Sequence, residues 1–410
     1  MNIAVDTAQL GGGRALGSAI ETPCPCCGAG GATVLYRVPS IPLHSCILLP
    51  MVSDARAFPR RDLELAFCNS CGFVFNHIFD EAAMHYSTDF EESQHFSGTF
   101  TSFARGLAKE IDAKCGIDEQ QLVLEIGCGK GEFLFELCSI SNATGVGVDP
   151  GYRADEGRPR AENVRFIVDH YGPKYKDIRA DVVLCRHTLE HIPNVDEFIG
   201  LIREVVGPDD CTSIVFETPD ARRVLSEAAF WDIYYEHCSY FSLGTHARLF
   251  RRQRFDVTDL LLVYDGQYIG QYAKPAAAAT EPRLPQEDDL DAMRQLAATF
   301  PARVLQLQDA WRDRIRTAAK NGKTVVLWGG GSKAVSFLTT LGLTDEVIAV
   351  VDVNPYKQGK FVPGTGHAVL APSALKDIKP DLVVVMNPIY VREIGAELAQ
   401  MGLSPEILPL

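Results

Sequence analysis

No stretch of this 410-residue chain is apolar for long enough to span a bilayer, and Met1 to Ser18 lacks the basic region followed by an apolar run that marks an export signal. Those two absences argue against a membrane protein and set the expectation of a cytoplasmic one. Long Lys/Arg runs are also missing, apart from the short stretch Arg248 to Arg254. With 39 basic against 53 acidic residues the formal net charge is −14, so a phosphate backbone would be repelled and no nucleic-acid partner is expected. What the chain does have is size. At 46% hydrophobic residues it exceeds one hydrophobic core, and two or three domains are expected.

Twelve cysteines are present, yet in a large chain of a reducing compartment paired Cys-x-x-Cys patterns point to metal before disulfides. Cys24-Pro-Cys-Cys27 and Cys68-Asn-Ser-Cys71 are two such knuckles. Each turns tightly enough to aim its thiolates at one ion, and zinc imposes no competing geometry. Cys24, Cys27, Cys68 and Cys71 are therefore the expected ligands of a structural Zn2+, with Cys26 as a rival ligand. Four sulfurs leave no open position for chemistry. Cys115, Cys128, Cys138, Cys185 and Cys211 fall in apolar segments and read as buried or half-buried thiols.

The remaining pattern divides the chain into five stretches. Residues 1–21 hold Gly11-Gly-Gly13 and no periodic apolar pattern, as a flexible tail would, with structure beginning at Cys24. Residues 22–95 alternate short β-rich pieces with Pro and Cys turns, which suits a small zinc-binding domain. Within 96–274, Phe100, Phe103, Leu107 and Ile111 recur at helical spacing. Strand candidates follow at Leu122 to Ile126, Ala143 to Asp149, Val164 to Val168, Asp181 to Cys185 and Thr212 to Glu217. Strands alternating with helix-length segments predict a parallel sheet with helices on both faces, closed by a hairpin of Phe255 to Tyr264 and Tyr268 to Ala273. Residues 275–320 read as a linker and a helical stretch, Leu290 to Lys320, broken by Pro301. Residues 321–410 repeat the strand pattern, with Gly329-Gly-Gly331-Ser-Lys333 after one strand and Asp352 ending the next. The predicted class is α/β: a small N-terminal zinc-binding module, a Rossmann-like core and a second Rossmann-like C-terminal domain.

Leu122-Val-Leu-Glu125-Ile-Gly127-Cys-Gly129-Lys-Gly131 is a strand-to-helix turn whose small residues let backbone approach a ligand closely. The helix after it would aim its first amides at a carboxylate. Asp149, at the end of the next strand, stands where paired ribose hydroxyls would lie. A nicotinamide site or an unoccupied turn are the competing readings. Farther on, Trp231-Asp-Ile-Tyr234-Tyr-Glu236-His237-Cys-Ser-Tyr240 concentrates titratable and aromatic groups where doubly wound sheets open a substrate crevice. A His beside a carboxylate can serve as general base and a Tyr can donate to a developing oxyanion. The competing reading makes His237 and Glu236 a structural pair, with the tyrosines as core aromatics.

The Glu-x-Gly-x-Gly-x-Gly form resembles class I S-adenosylmethionine-dependent methyltransferases. By position in that superfamily, Asp169 would receive the adenine and Arg186-His187 would line the cofactor. The full order of knuckles, methyltransferase core, Tyr-x-Glu-His segment and terminal Rossmann-like domain resembles the three-domain sugar C-methyltransferases of deoxysugar biosynthesis. That resemblance implies C-methylation of a nucleotide-linked keto sugar, with His237 as base and Tyr234, Glu236 and Tyr86 in its machinery. It also implies a C-terminal domain that holds the nucleotide-sugar. Three segments depart from the family pattern: Tyr86 to Gln94, the turn Gly329 to Lys333, which replaces an Ala-Pro-Ala-Lys type, and Asn387-Pro-Ile-Tyr390. O- or N-methylation of a sugar or natural-product acceptor, and a non-catalytic cofactor-binding scaffold, are the alternatives. The expected partner is a small-molecule acceptor, and the expected assembly a monomer or homodimer.

Overall fold

The computed structural model describes residues 14–84, 90–91, 93–154, 161–206, 211–277 and 283–410. Three sheets organise them. In the first, β1 (Thr33–Pro42) pairs with β2 (Arg60–Phe67), β2 with β3 (Val74–Asn76), and β3 with the two-residue β9 (Ser239–Tyr240), all antiparallel. The last strand arrives from far along the chain, so the N-terminal sheet is completed by the residues that directly follow His237 and Cys238. Structure begins before Cys24. Gly17 and Ile20 donate to the carbonyls of Val34 and Ala32 at 2.8 and 2.9 Å, and Ile20 is buried. The expected tail is thus shortened because residues 17–20 cover the edge of β1.

The second sheet runs β10-β11-β8-β7-β4-β5-β6. Its members are β4 (Leu122–Ile126), β5 (Thr144–Val148), β6 (Val164–Ile167), β7 (Val182–Arg186), β8 (Ser213–Pro219), β10 (Phe255–Val263) and β11 (Tyr268–Pro275). The first five are parallel, and the hairpin β10–β11 enters antiparallel beside β8. Runs such as Leu122-Val-Leu-Glu-Ile and Val182-Val-Leu-Cys lie nearly fully buried, as strands covered by helices on both faces require. Strand order reverses at β4, and that reversal opens a crevice beyond the carboxyl ends of β4 and β7. This is the class I methyltransferase arrangement, a Rossmann-like α/β fold.

The third sheet is wholly parallel, in the order β14-β13-β12-β15-β16. It holds β12 (Val325–Trp328), β13 (Ala349–Val351), β14 (Val369–Leu370), β15 (Leu382–Val385) and β16 (Glu406–Pro409). The helix Leu290–Lys320 leads into it as one element of 31 residues, passing through Pro301 without the expected break. An interior proline costs about 3 kcal/mol. Burial of Phe300 and Val304, about 1.5–3 kcal/mol each, offsets that. Phe300 also sets its ring edge-on to Tyr36 at 5.5 Å, and Gln308 donates to the Tyr36 hydroxyl at 2.6 Å, so the helix is held along β1. Among the described residues, no helix is long and apolar enough to cross a membrane.

Candidate active site

Beyond Ile126, Gly127, Gly129 and Gly131 adopt φ of 71°, 53° and 77°, the left-handed region that glycine reaches without strain. A Cβ on Gly127 would stand 1.9 Å from the Thr188 hydroxyl, and one on Gly131 would stand 2.4 Å from the Phe166 ring. The turn therefore admits backbone only, and the helix Glu132–Ser141 starts from it. Asp149 grips this turn. Its carboxylate accepts the Gly129 amide at 2.8 Å and the Gly151 amide at 2.7 Å, and burial raises its pKa. Such a cradle, open on its far side, fits a ligand of the size and polarity of S-adenosylmethionine.

Glu125 is buried on β4, with one carboxylate oxygen lacking a hydrogen-bond partner among the described residues. Burial pushes its pKa up to about 8 against the pull of Arg186. Arg186 lies 3.7 Å over the Phe133 ring and pairs with Glu217 at 3.2 Å. His187 stands 2.7 Å from Glu217. Burial works against an imidazolium there, but Glu217 and Glu190 outweigh it and lift the pKa to about 9. Asp169 accepts the Tyr175 hydroxyl at 2.5 Å and pairs with Lys174, while the cavity wall beside it is formed by His170 and Tyr171. Asp169 itself is engaged on its own loop, one residue before that wall.

Glu125, Gly127, Gly129, Asp149, Arg186 and His187 share one cavity of about 1070 Å³ with Tyr234, Glu236 and His237. Gly131 shapes the turn behind it. Tyr86 lies outside the described residues. The far wall comes from the C-terminal unit: Gly329, Ser332, Lys333, Asp352 and Lys357.

His237 is buried, its ring centroid 4.2 Å from that of Tyr234 and 4.7 Å from that of His191, the last at 89°. Burial, then His191, His187 and Lys333, push its pKa well below the ordinary value, so the ring is neutral near pH 7. Burial likewise keeps the phenols of Tyr234 and Tyr240 protonated.

The carboxylate next to His237 in sequence points elsewhere in space. Glu236 accepts the Ser45 amide at 2.5 Å and the Ser45 hydroxyl, and lies 3.3 Å from His44 Nδ1. Ser45 donates to Glu236, so its oxygen receives the Ser332 hydroxyl at 2.8 Å. Three parts of the chain meet around Ser45: the N-terminal module that carries it, the core through Glu236 and the second glycine turn through Ser332. Burial opposes the charge of Glu236, but His44, His191 and Ser45 hold it ionised below the usual range. His44, Ser45 and Glu190 escaped the sequence reading because no local pattern marks them, whereas Ser332 lies in the Gly329–Lys333 turn. Lys333 pairs with Asp232 across the same junction.

At the N-terminal end, Cys24 Sγ lies 3.7 Å from Cys71 Sγ, and Cys27 Sγ lies 3.7 Å from Cys68 Sγ, with all four sulfurs within 4.8 Å of one another. A tetrahedral zinc with bonds of about 2.3 Å spaces its sulfurs about 3.8 Å apart. The set fits such an ion, and Cys26 is outside it. Of the remaining thiols, Cys211 is exposed, against expectation, at the start of the segment leading into β8.

Residues 100–260 match the family described as a methyltransferase domain, and residues 270–404 match the C-methyltransferase C-terminal domain. The chain is 26% identical over 392 residues to the C-methyltransferase NovU of Streptomyces niveus, covering 90% of each protein. It is 33% identical over 95 residues to the ubiquinone biosynthesis O-methyltransferase of Salmonella paratyphi A, covering 21% of this chain and 38% of that one. Among solved structures, the 1,6-didemethyltoxoflavin-N1-methyltransferase of Burkholderia thailandensis aligns at 17% identity over 44% of this chain and 81% of its own, with a TM-score of 0.32. The glycine cradle gripped by Asp149, the sheet order and the two successive domain matches agree, and the chain belongs to the S-adenosylmethionine-dependent methyltransferases that carry a C-methyltransferase C-terminal domain.

Proposed function

We propose that this enzyme methylates a carbon next to the ketone of a nucleotide-linked keto-deoxysugar, with His237 removing the carbon-bound proton. The observation that carries the reading is His237 itself: a neutral, buried imidazole on the wall of a cavity that opens at one end onto the Gly127–Gly131 cradle and at the other onto the C-terminal unit. A carbon beside a ketone becomes a nucleophile only once deprotonated, so a base at that position is required chemistry. Bound S-adenosylmethionine supplies the electrophilic methyl group. Tyr234, held protonated 4.2 Å from the His237 ring, is suited to donate to the enolate oxygen. Glu236 holds the segment in place through Ser45. The volume of about 1070 Å³ exceeds the roughly 300–1,000 Å³ of a single small-molecule pocket, which suits two ligands side by side. The name of the relative from Streptomyces niveus supports transfer to carbon.

The four-sulfur cluster is read as a structural zinc site. It would brace β3, whose partner β9 follows His237 in the chain.

The test is incubation with a nucleotide-linked 4-keto-6-deoxysugar in deuterated water, with and without S-adenosylmethionine. Deuterium next to the ketone and a one-methyl mass gain, both lost in His237→Ala, are expected. A mass gain without exchange would overturn the enolate route and point to an oxygen or nitrogen acceptor.

A further inference from the structure

One group at the reaction centre has no part in that chemistry. Glu190, in the turn Leu189–His191 after β7, is 2% exposed and lines the cavity, and its Oε2 has no hydrogen-bond partner among the described residues. Its other oxygen lies 3.7 Å from His187 Nδ1. A carboxylate oxygen left bare in a buried site is costly unless something occupies it.

What surrounds that oxygen has the make-up of a cation site. One donor atom each from Glu190, His191 and His237 lies within 4.8 Å of the others. His191 Nδ1 stands 3.1 Å from the backbone carbonyl of Glu236. A carbonyl only accepts, so Nδ1 carries the proton and Nε2 keeps its lone pair. Donation of the second ring nitrogen to a carbonyl is the usual outer support of a metal-bound imidazole. The two rings stand edge to face at 89°. In a site with bonds of about 2.1 Å, donors sit about 3.3–4.2 Å apart, a spacing that the 4.8 Å limit on this set admits. Two imidazoles and one carboxylate favour a divalent first-row transition metal over magnesium or calcium, and the open side faces the cavity.

We propose that Glu190, His191 and His237 form a second, reversible site for a divalent transition metal such as zinc, and that its occupancy switches methyl transfer off by claiming the His237 lone pair. The switch rests on the reading of His237 as base; the metal site itself does not. Cation and proton abstraction use the same electrons, so the metal-bound enzyme retains its cofactor cradle and loses its base. The site is distinct from the four cysteines, which form a separate set of their own.

Cobalt(II) is the probe, added to full-length protein whose cysteine site has first been filled with zinc. The expected result is one further cobalt per chain with weak visible bands and no thiolate charge-transfer band. Its affinity should fall at least about tenfold in Glu190→Gln and again in His191→Ala. Transfer should decline in step with occupancy and return on adding a chelator that leaves the cysteine site filled. No further cobalt, or binding unchanged in both variants, would overturn the site. Cobalt bound as expected with transfer undiminished would overturn the switch and also the role of His237 as base, a role that deuterium exchange in His237→Ala tests without any metal.

Discussion

The molecule carries two glycine turns of the same plan that are fitted out differently. In each, an acid at the end of the second strand grips the turn with both oxygens. Asp149 takes the amides of Gly129 and Gly151 at 2.8 and 2.7 Å; Asp352 takes those of Gly330 and Asn354 at 2.6 and 2.8 Å. The first turn has three left-handed glycines, whereas the second has one, Gly329 at φ 116°. Two residues before the first glycine stands Glu125 in one turn and Leu327 in the other. Lys357 is 3.5 Å from Asp352; burial opposes its charge, and Asp352 more than compensates, raising its pKa. The lesson is that the acid-to-amide grip belongs to the scaffold. The turns differ in what is added: a buried acid before the first, a lysine beside the second.

The sharpest way to break the comparison is to place a methyl group in each turn. Gly127→Ala puts a Cβ 1.9 Å from Thr188 Oγ1 at a left-handed φ, while the nearest atom to a Cβ on Gly330 is 3.3 Å away. Calorimetry with S-adenosylhomocysteine should record a loss of at least about a hundredfold in affinity for Gly127→Ala, from strain of about 1–3 kcal/mol plus the clash. No more than about twofold is expected for Gly330→Ala. Equal losses would mean the turns act as one site. The acids give the next largest contrast. Asp149→Asn should weaken cofactor binding about tenfold, since one of two buried amides loses its partner. Asp352→Asn should leave that affinity unchanged and raise KM for the acceptor.

Glu236 lines the cavity that both turns share, and its neutral variant sharpens the contrast from the middle. Glu236→Gln keeps an oxygen for Ser45 but loses the charge facing His44. We expect kcat to fall about tenfold, with cofactor affinity and the acceptor KM within about twofold of the parent, as for a residue that positions its neighbour. A fall in cofactor affinity instead would assign Glu236 to the first turn alone.

Strands and turns were legible because they rest on local pattern. Apolar runs from Leu122 and Thr324, glycines after them and an acid one strand later follow from sheet burial and turn sterics, which act over a few residues. The four cysteines were legible for the same reason: each knuckle is self-contained. What the sequence hid was set by distance. Adjacency joined Glu236 to His237, whereas packing turned that carboxylate toward Ser45, 191 residues earlier. Asp169 sits one residue outside the wall that His170 and Tyr171 form. Pro301 signals a break by its own chemistry, but buried side chains on both sides of it decide that the helix continues.

The smallest effect separates the strands that feed the two turns. Glu125 has an ordinary pKa of 4.5 that burial raises to about 8 in the folded enzyme. Between those values the folded protein binds more protons than the unfolded chain, so Glu125 costs nothing below about pH 4.5 and lowers stability progressively as pH rises toward 8. Glu125→Gln removes the titration and keeps the shape. Its thermal midpoint should match the parent near pH 4.5 and exceed it above about pH 8, by a margin worth about 1–2 kcal/mol after relaxation around the buried group. Leu327→Met, at the corresponding place before the second turn, introduces no titratable group and should give a difference from the parent that does not change with pH. Scanning both variants across that range by thermal shift isolates the acid. A flat difference for Glu125→Gln would mean that Arg186 neutralises the carboxylate in place, leaving the two strands alike in their response to pH.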